Sequence, residues 1–126
     1  MKNTLGMTGL AFIEFASPKP DELDSLFSAL GFSCTARHRS TELYAYTQGG
    51  VRFFVQRERG TFAERFAEQH GPSVSALGIA FVDPHKAYET AVARGARPFV
   101  ATKNGAGSFD VPAVYGIGDS VVYFVD

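Results

Sequence analysis

The chain has 126 residues and a mass of 13.6 kDa, which is one domain, large enough by area scaling to bury about two-thirds of its unfolded surface without staples. A hydrophobic share of 45% with 20% charged residues excludes a disordered chain. Twelve Lys and Arg against thirteen Asp and Glu leave a net charge of −1, which gives no electrostatic footprint for nucleic acid or an anionic membrane surface.

The segment Leu10 to Ala16 (LAFIEFA) is rich in strand formers and apolar on both faces, as in a strand covered on both sides. A helix follows, with Ser17 as its expected cap, Pro18 at its first position and Asp21, Glu22 and Asp24 near its positive end. Leu23, Leu26, Phe27 and Leu30 form one apolar stripe. Gly31 ends the helix and Phe32 is placed for the accompanying hydrophobic contact. Strands are predicted at 32–39, 43–48 and 51–56, the last two joined by the hairpin signal Gly49-Gly50.

A polar link then leads to a short helix capped by Thr61, with Phe62, Ala63, Phe66 and Ala67 at helical spacing, stopping at Gly71-Pro72. The run 74–82 predicts a strand, and Asp83-Pro84 the cap and first turn of a helix whose inner face is Ala87, Tyr88, Ala91 and Val92. Strands are expected at 97–102, 109–114 and 120–125, with Pro112 restricting the middle one to an edge or bulge. The turn Asn104-Gly105-Ala106-Gly107 does not open a helix after a strand, so it is not a phosphate loop.

The second half repeats the first. Ile13-Glu14-Phe15-Ala16-Ser17-Pro18 matches Ile79-Ala80-Phe81-Val82-Asp83-Pro84, and Val51 to Gln56 matches Val121 to Asp126. Two long units of this kind indicate internal duplication rather than a solenoid. The expected fold class is α+β: two βαβββ modules in one curved mixed sheet with helices outside. Residues 1–60 form the first module, 61–72 a linking helix and 73–126 the second, in a single domain. Twelve Phe, five Tyr and no Trp point to a thick apolar interior or a greasy concavity. No signal region opens the chain and no apolar run approaches the ~20 residues of a membrane span. With one cysteine, no disulfide framework is possible and a reduced cytoplasm fits.

The duplicated pattern resembles the vicinal oxygen chelate superfamily, the glyoxalase/bleomycin-resistance/dioxygenase group. Leu5-Gly6-Met7-x-Gly9, Phe15-Ala16-Ser17-Pro18, Leu30-Gly31-Phe32, Ala36-Arg37-His38-Arg39-Ser40, His70-Gly71-Pro72, Tyr115-Gly116-Ile117-Gly118 and Tyr123-Phe124-Val125-Asp126 together resemble the amino-terminal half of bacterial 4-hydroxyphenylpyruvate dioxygenases. The resemblance implies a parent enzyme that converts 4-hydroxyphenylpyruvate and O2 to homogentisate and CO2, in tyrosine catabolism. It implies a non-haem Fe(II) held by two His and one Glu of a carboxy-terminal catalytic domain. It also implies a homo-oligomer. On this reading the present chain continues into that domain, serves structure and subunit assembly, and is inactive alone. Two alternatives stand beside it: a stand-alone small-molecule-binding module with a Phe-lined cavity, and the dioxygenase-like half of a dehydroshikimate dehydratase fusion.

Superfamily ligands come from the first and last strand of each module, which counting places at Leu10, Phe53, Ala76 and Tyr123. Such a set does not hold iron. His38, His70 and His85 form no pair at ligand spacing and read as surface or turn residues, His70 near the last helical carbonyls. No catalytic, cofactor-binding or metal residue is therefore assigned to this chain. Glu14 is the sharpest remaining candidate, a carboxylate in an apolar strand whose unpaired burial would cost several kcal/mol. Its expected partner is Arg37, Arg39 or Arg52, and a structural pairing is favoured over a catalytic base. Cys34 is expected as a small core residue, and Arg37-His38-Arg39 as a solvated basic strand end.

Overall fold

The computed structural model describes residues 2–101 and 106–126. Seven strands and three helices run in the order β1 (Met7–Ala16), α1 (Pro20–Ala29), β2 (Ser33–Arg37), β3 (Leu43–Gln48), β4 (Val51–Gln56), α2 (Phe62–His70), β5 (Ser73–Phe81), α3 (Pro84–Ala93), β6 (Ala113–Tyr115) and β7 (Val121–Val125). All seven strands belong to one mixed sheet in the order β2-β3-β4-β1-β5-β7-β6. The central pair β1 and β5 is antiparallel, and each runs parallel to the last strand of its own half, β4 and β7.

Cross-strand partners share a face of the sheet, so the registers sort the core into layers. Phe15, Phe53, Val55 and Tyr46 face α1, whose Leu23 and Phe27 complete that cluster. Ile79, Phe81, Val122 and Phe124 face α3 through Ala87, Tyr88, Ala91 and Val92, as the helical spacing predicts. The opposite, concave face carries Phe12, Phe54, Ala76, Ala113, Val121 and Tyr123. Phe62 from α2 and Phe99 close over part of it.

Both outer helices end in the same cap. The Phe32 amide donates to the Phe27 carbonyl and Gly31 to Ser28, and Ala96 and Gly95 repeat this on Ala91 and Val92. Gly31 and Gly95 take positive φ values of 98° and 109°, the left-handed cap position that glycine fills without strain. One helix start, that of α1, differs from expectation. Asp83 caps α3 as predicted, accepting from the Lys86 amide. In α1, however, Pro20 rather than Pro18 opens the helix after Lys19. Ser17 accepts from the Lys19 amide in a short turn instead of capping. The apparent alignment of Ser17-Pro18 with Asp83-Pro84 is thus a sequence match without structural equivalence.

The second half also has less strand than its pattern predicts. Of 97–102, whose last residue lies outside the described set, only Pro98 pairs, bridging to Val114, with flanking bonds from Phe99 to Ala113 and from Tyr115 to Arg97. Of 109–114 only the end is strand, because Pro112 lacks a donor and the chain before it turns onto the concave face. The turn 104–107 lies partly outside the described residues. Its Gly107 packs so closely that a β-carbon would come within 2.7 Å of the Tyr123 hydroxyl. Among the described residues no helix is long and apolar enough to cross a membrane.

Candidate functional site

The concave face is filled by aromatic rings. Phe12 meets Phe54 edge-on at 5.0 Å between centroids and Phe109 at 4.9 Å; Phe109 also meets Phe54 at 5.1 Å and Tyr123 at 5.3 Å. These offset and perpendicular contacts suit the ring quadrupoles. Phe109 arrives from the irregular stretch before β6 and plugs the space between the strands.

Beneath this plug lies Glu14, 1% exposed. It stands opposite Phe54 on β4 and Ala76 on β5. A break in the β1–β5 register, with Glu14 opposite Ala76 but Phe15 opposite Val74, leaves Ser75 as an extra residue. The bulge turns the Ser75 side chain onto the carboxylate, and its hydroxyl donates to Oε2 at 2.5 Å. Ser108 donates its hydroxyl to Oε1. The Ser108 hydroxyl accepts in turn from Gln56 Nε2 at 3.0 Å, and the Ser108 amide donates to the Tyr123 hydroxyl at 2.8 Å. Gln56 Oε1 accepts from the Glu58 amide at 2.9 Å.

Two groups in this network depart from their ordinary titration. Burial pushes the Glu14 carboxyl above its usual 4.5, and the hydroxyls of Ser108 and Ser75 offset only part of that. Burial, and then the nearby Glu14, push the Tyr123 hydroxyl up. The arrangement holds a carboxyl group buried beneath aromatic rings and ties three strands to the stretch containing Ser108. Among the described residues it offers no nucleophile with a base and orienting partner, and no second carboxylate.

The expected arginine partner of Glu14 is not found. Arg37 pairs with Glu42, and Arg37 and Arg52 are exposed, as is Arg39. The buried residues around Glu14 answer it with hydroxyls instead of a cation. Cys34 is likewise not a core residue. It lies exposed on β2, an edge strand whose five residues are all exposed. Arg37, His38 and Arg39 are exposed as expected, with the His38 Nδ1 accepting from the Ser40 amide. His70 ends α2, stacked on Phe66, and His85 lies exposed in the first turn of α3.

Two of the four counted ligand positions move. Leu10 is 58% exposed, because the register shift between Leu10 and Phe12 interrupts the alternation used to count back to it. Phe53 faces α1, and Phe54 is the inward residue. Ala76 and Tyr123 do lie on the concave face. With the register corrected, the inward set is Phe12, Glu14, Phe54, Gln56, Ala76 and Tyr123, in which Glu14 is the lone carboxylate among the described residues. No group of three His, Cys, Asp or Glu among the described residues could hold a metal. An iron site of the superfamily type does not fit these side chains.

Ser75, Gln56 and Ser108 escape sequence reasoning. Ser75 offered one signal, a hydroxyl in an apolar strand. Ser108 offered none, since 94 residues separate it from Glu14. Beside the plug, a cleft of about 180 Å³ is lined by Ala36, Arg37, His38, Leu43, Ala45, Phe54 and Phe109.

Comparison with known proteins gives this geometry a context. A family model described as the N-terminal region of hydroxyphenylpyruvate dioxygenase matches residues 1–126. A 4-hydroxyphenylpyruvate dioxygenase of Pseudomonas sp. (strain P.J. 874) is 37% identical over 99% of this chain and 35% of its own length. A 3-dehydroshikimate dehydratase of Pseudomonas aeruginosa is 32% identical over 94% of this chain and 19% of its own length. Among solved structures, a xylose isomerase-like TIM barrel/4-hydroxyphenylpyruvate dioxygenase fusion protein superposes with a TM-score of 0.84 at 31% identity, over 95% of this chain and 20% of that one. The chain thus spans about a third or less of the length of these curated relatives. The fold is that of the vicinal oxygen chelate proteins, and the chain belongs to the hydroxyphenylpyruvate dioxygenase N-terminal family.

Proposed function

We propose that this chain is the non-catalytic amino-terminal half of an Fe(II)-dependent 4-hydroxyphenylpyruvate dioxygenase, giving the enzyme structure and subunit contacts. The observation that carries this reading is the concave face. Where a chelating fold would expose ligands, Phe12, Phe54, Phe109 and Tyr123 pack against one another over a hydroxyl-bound Glu14. Catalysis and iron then belong to a carboxy-terminal domain of a longer, cytoplasmic, homo-oligomeric chain. Large apolar side chains at the surface, Val82 at 77% and Ile117 at 95% exposure, support coverage by another domain or subunit.

The match to 3-dehydroshikimate dehydratase supports a second parent, a dehydratase fusion. A free-standing binding module has less support, because the rings of the plug occupy the face it would use. The test expresses the whole encoded protein and assays it with 4-hydroxyphenylpyruvate, Fe(II) and ascorbate, and separately with 3-dehydroshikimate. Homogentisate from the whole protein but not from residues 1–126 is expected. Homogentisate from residues 1–126 alone overturns the non-catalytic reading, and turnover of 3-dehydroshikimate only would assign the dehydratase parent.

A further inference from the structure

The segment 106–112 crosses the concave face without belonging to the sheet. Its backbone is tied near its ends, where the Ala106 carbonyl accepts from the Phe62 amide at 3.0 Å and the Pro112 carbonyl from Phe124 at 2.8 Å. Between those ties it is held by Ser108, bonded to Glu14, Gln56 and Tyr123, and by the Phe109 ring. Phe109 also forms a wall of the 180 Å³ cleft, so space lies beside it.

We propose that segment 106–112 is a removable plug latched by the Ser108–Glu14 hydrogen bond, and that ionisation of Glu14 releases it. A neutral carboxyl is satisfied in the closed pocket when its Oε2–H donates to the Ser75 hydroxyl, which turns to donate to the Glu14 carbonyl at 3.4 Å, while Ser108 still donates to Oε1. A carboxylate there keeps both hydroxyls but gains a charge that no described cation neutralises. The groups facing it are Phe54 and Gln56 from β4, Ser75 and Ala76 from β5, Tyr123 from β7, and Ser108 and Phe109 from the plug. Of these only Tyr123 titrates, and with its hydroxyl pushed up it stays neutral wherever Glu14 ionises. Water is the remaining solvent for the charge. It enters most readily where side chains rather than a strand ladder hold the wall. Opening therefore increases as pH rises, and it uncovers Phe12, Phe54 and Glu14.

Amide hydrogen exchange across about pH 4.5 to 8 tests this, read as the protection factor of the Ser108 amide against those of β1 and β5. In the wild type the Ser108 protection is expected to fall by about tenfold or more while the strand amides hold. In Glu14→Gln it should stay flat, and in Ser108→Ala it should be low at every pH. A flat wild-type profile, the same fall in Glu14→Gln, or a fall shared with β1 and β5 would overturn the proposal. Should Glu14→Gln fail to fold, Ser108→Ala decides: high protection that still falls with pH removes Ser108 as the latch.

Discussion

The ring of Phe12 lies directly across Gly78, its partner in the central antiparallel pair, so closely that a β-carbon at position 78 would stand 2.1 Å from a ring carbon. The glycine leaves a slot in β5 that the aromatic ring covers, and the ring in turn supports Phe54 and Phe109. Elsewhere in a strand alanine is at least as good as glycine. Here Gly78→Ala is expected to destabilise by about 1–3 kcal/mol through overpacking. In urea melts, Phe12→Leu should restore part of that loss. Additive losses in the double variant would show that the two residues do not share the slot.

Glu14 sets a pH dependence whose sign follows from its raised carboxyl. The stabilising contribution is fully present below the unfolded carboxylate value and is lost as pH rises through the higher folded one. Wild type should therefore lose stability relative to Glu14→Gln as pH climbs from about 4.5 towards neutrality, the two being closest in acid. Glu14→Leu should be less stable than Glu14→Gln by about 1–3 kcal/mol, because it strands the hydroxyls of Ser75 and Ser108 without their acceptor. Denaturant midpoints of the three proteins at several pH values check both statements. A wild type that gains on Glu14→Gln as pH rises would reverse the sign.

Gly31 meets two constraints at once. Its φ of 98° is left-handed, and a β-carbon there would come 2.3 Å from Gln48 Oε1, while Gln48 Nε2 donates to the Leu30 carbonyl at 3.1 Å. Gly31→Ala should cost roughly 1–2 kcal/mol, combining the strained cap with displacement of that side chain. Thermal melts of Gly31→Ala beside Gly49→Ala, which also has positive φ but nothing within 4 Å of the added carbon, separate the two contributions.

Cys34 stands exposed on the edge strand. It should react completely with a thiol reagent under native conditions, and Cys34→Ser should change stability by no more than about 0.5 kcal/mol. Labelling that requires denaturant would restore it to a buried position.

Iron gives a further check. The inward side chains offer Glu14 without the imidazoles of a mononuclear site, so elemental analysis after anaerobic Fe(II) loading and desalting should find far less than one iron per chain. One retained equivalent would contradict the side-chain assignment.

The local sequence determined the elements whose signals lie within a few residues. Gly49-Gly50 marked the hairpin of β3 and β4, and Gly31-Phe32 marked the end of α1, each through a turn geometry that needs no distant contact. Of the apolar stripe read for α1, Leu23 and Phe27 are buried, whereas Leu26 and Leu30 are exposed, Leu30 beyond the helix end. The repeat is real at the first strand of each half, where Phe15 faces α1 as Phe81 faces α3. The match of Val51 to Gln56 with Val121 to Asp126, however, is one residue out of register, Phe53 facing α1 and Tyr123 the concave face, and the second half has one strand fewer. In the strands, tertiary structure decided which way the side chains face. Register shifts at Ala11 and Ser75 break the two-residue alternation, so counting missed Leu10 while the bulge delivered Ser75 to Glu14. It also decided the partner of Glu14. A buried acid must be answered, here by a hydroxyl 94 residues away in place of a nearby arginine, and only the folded chain brings Ser108 there.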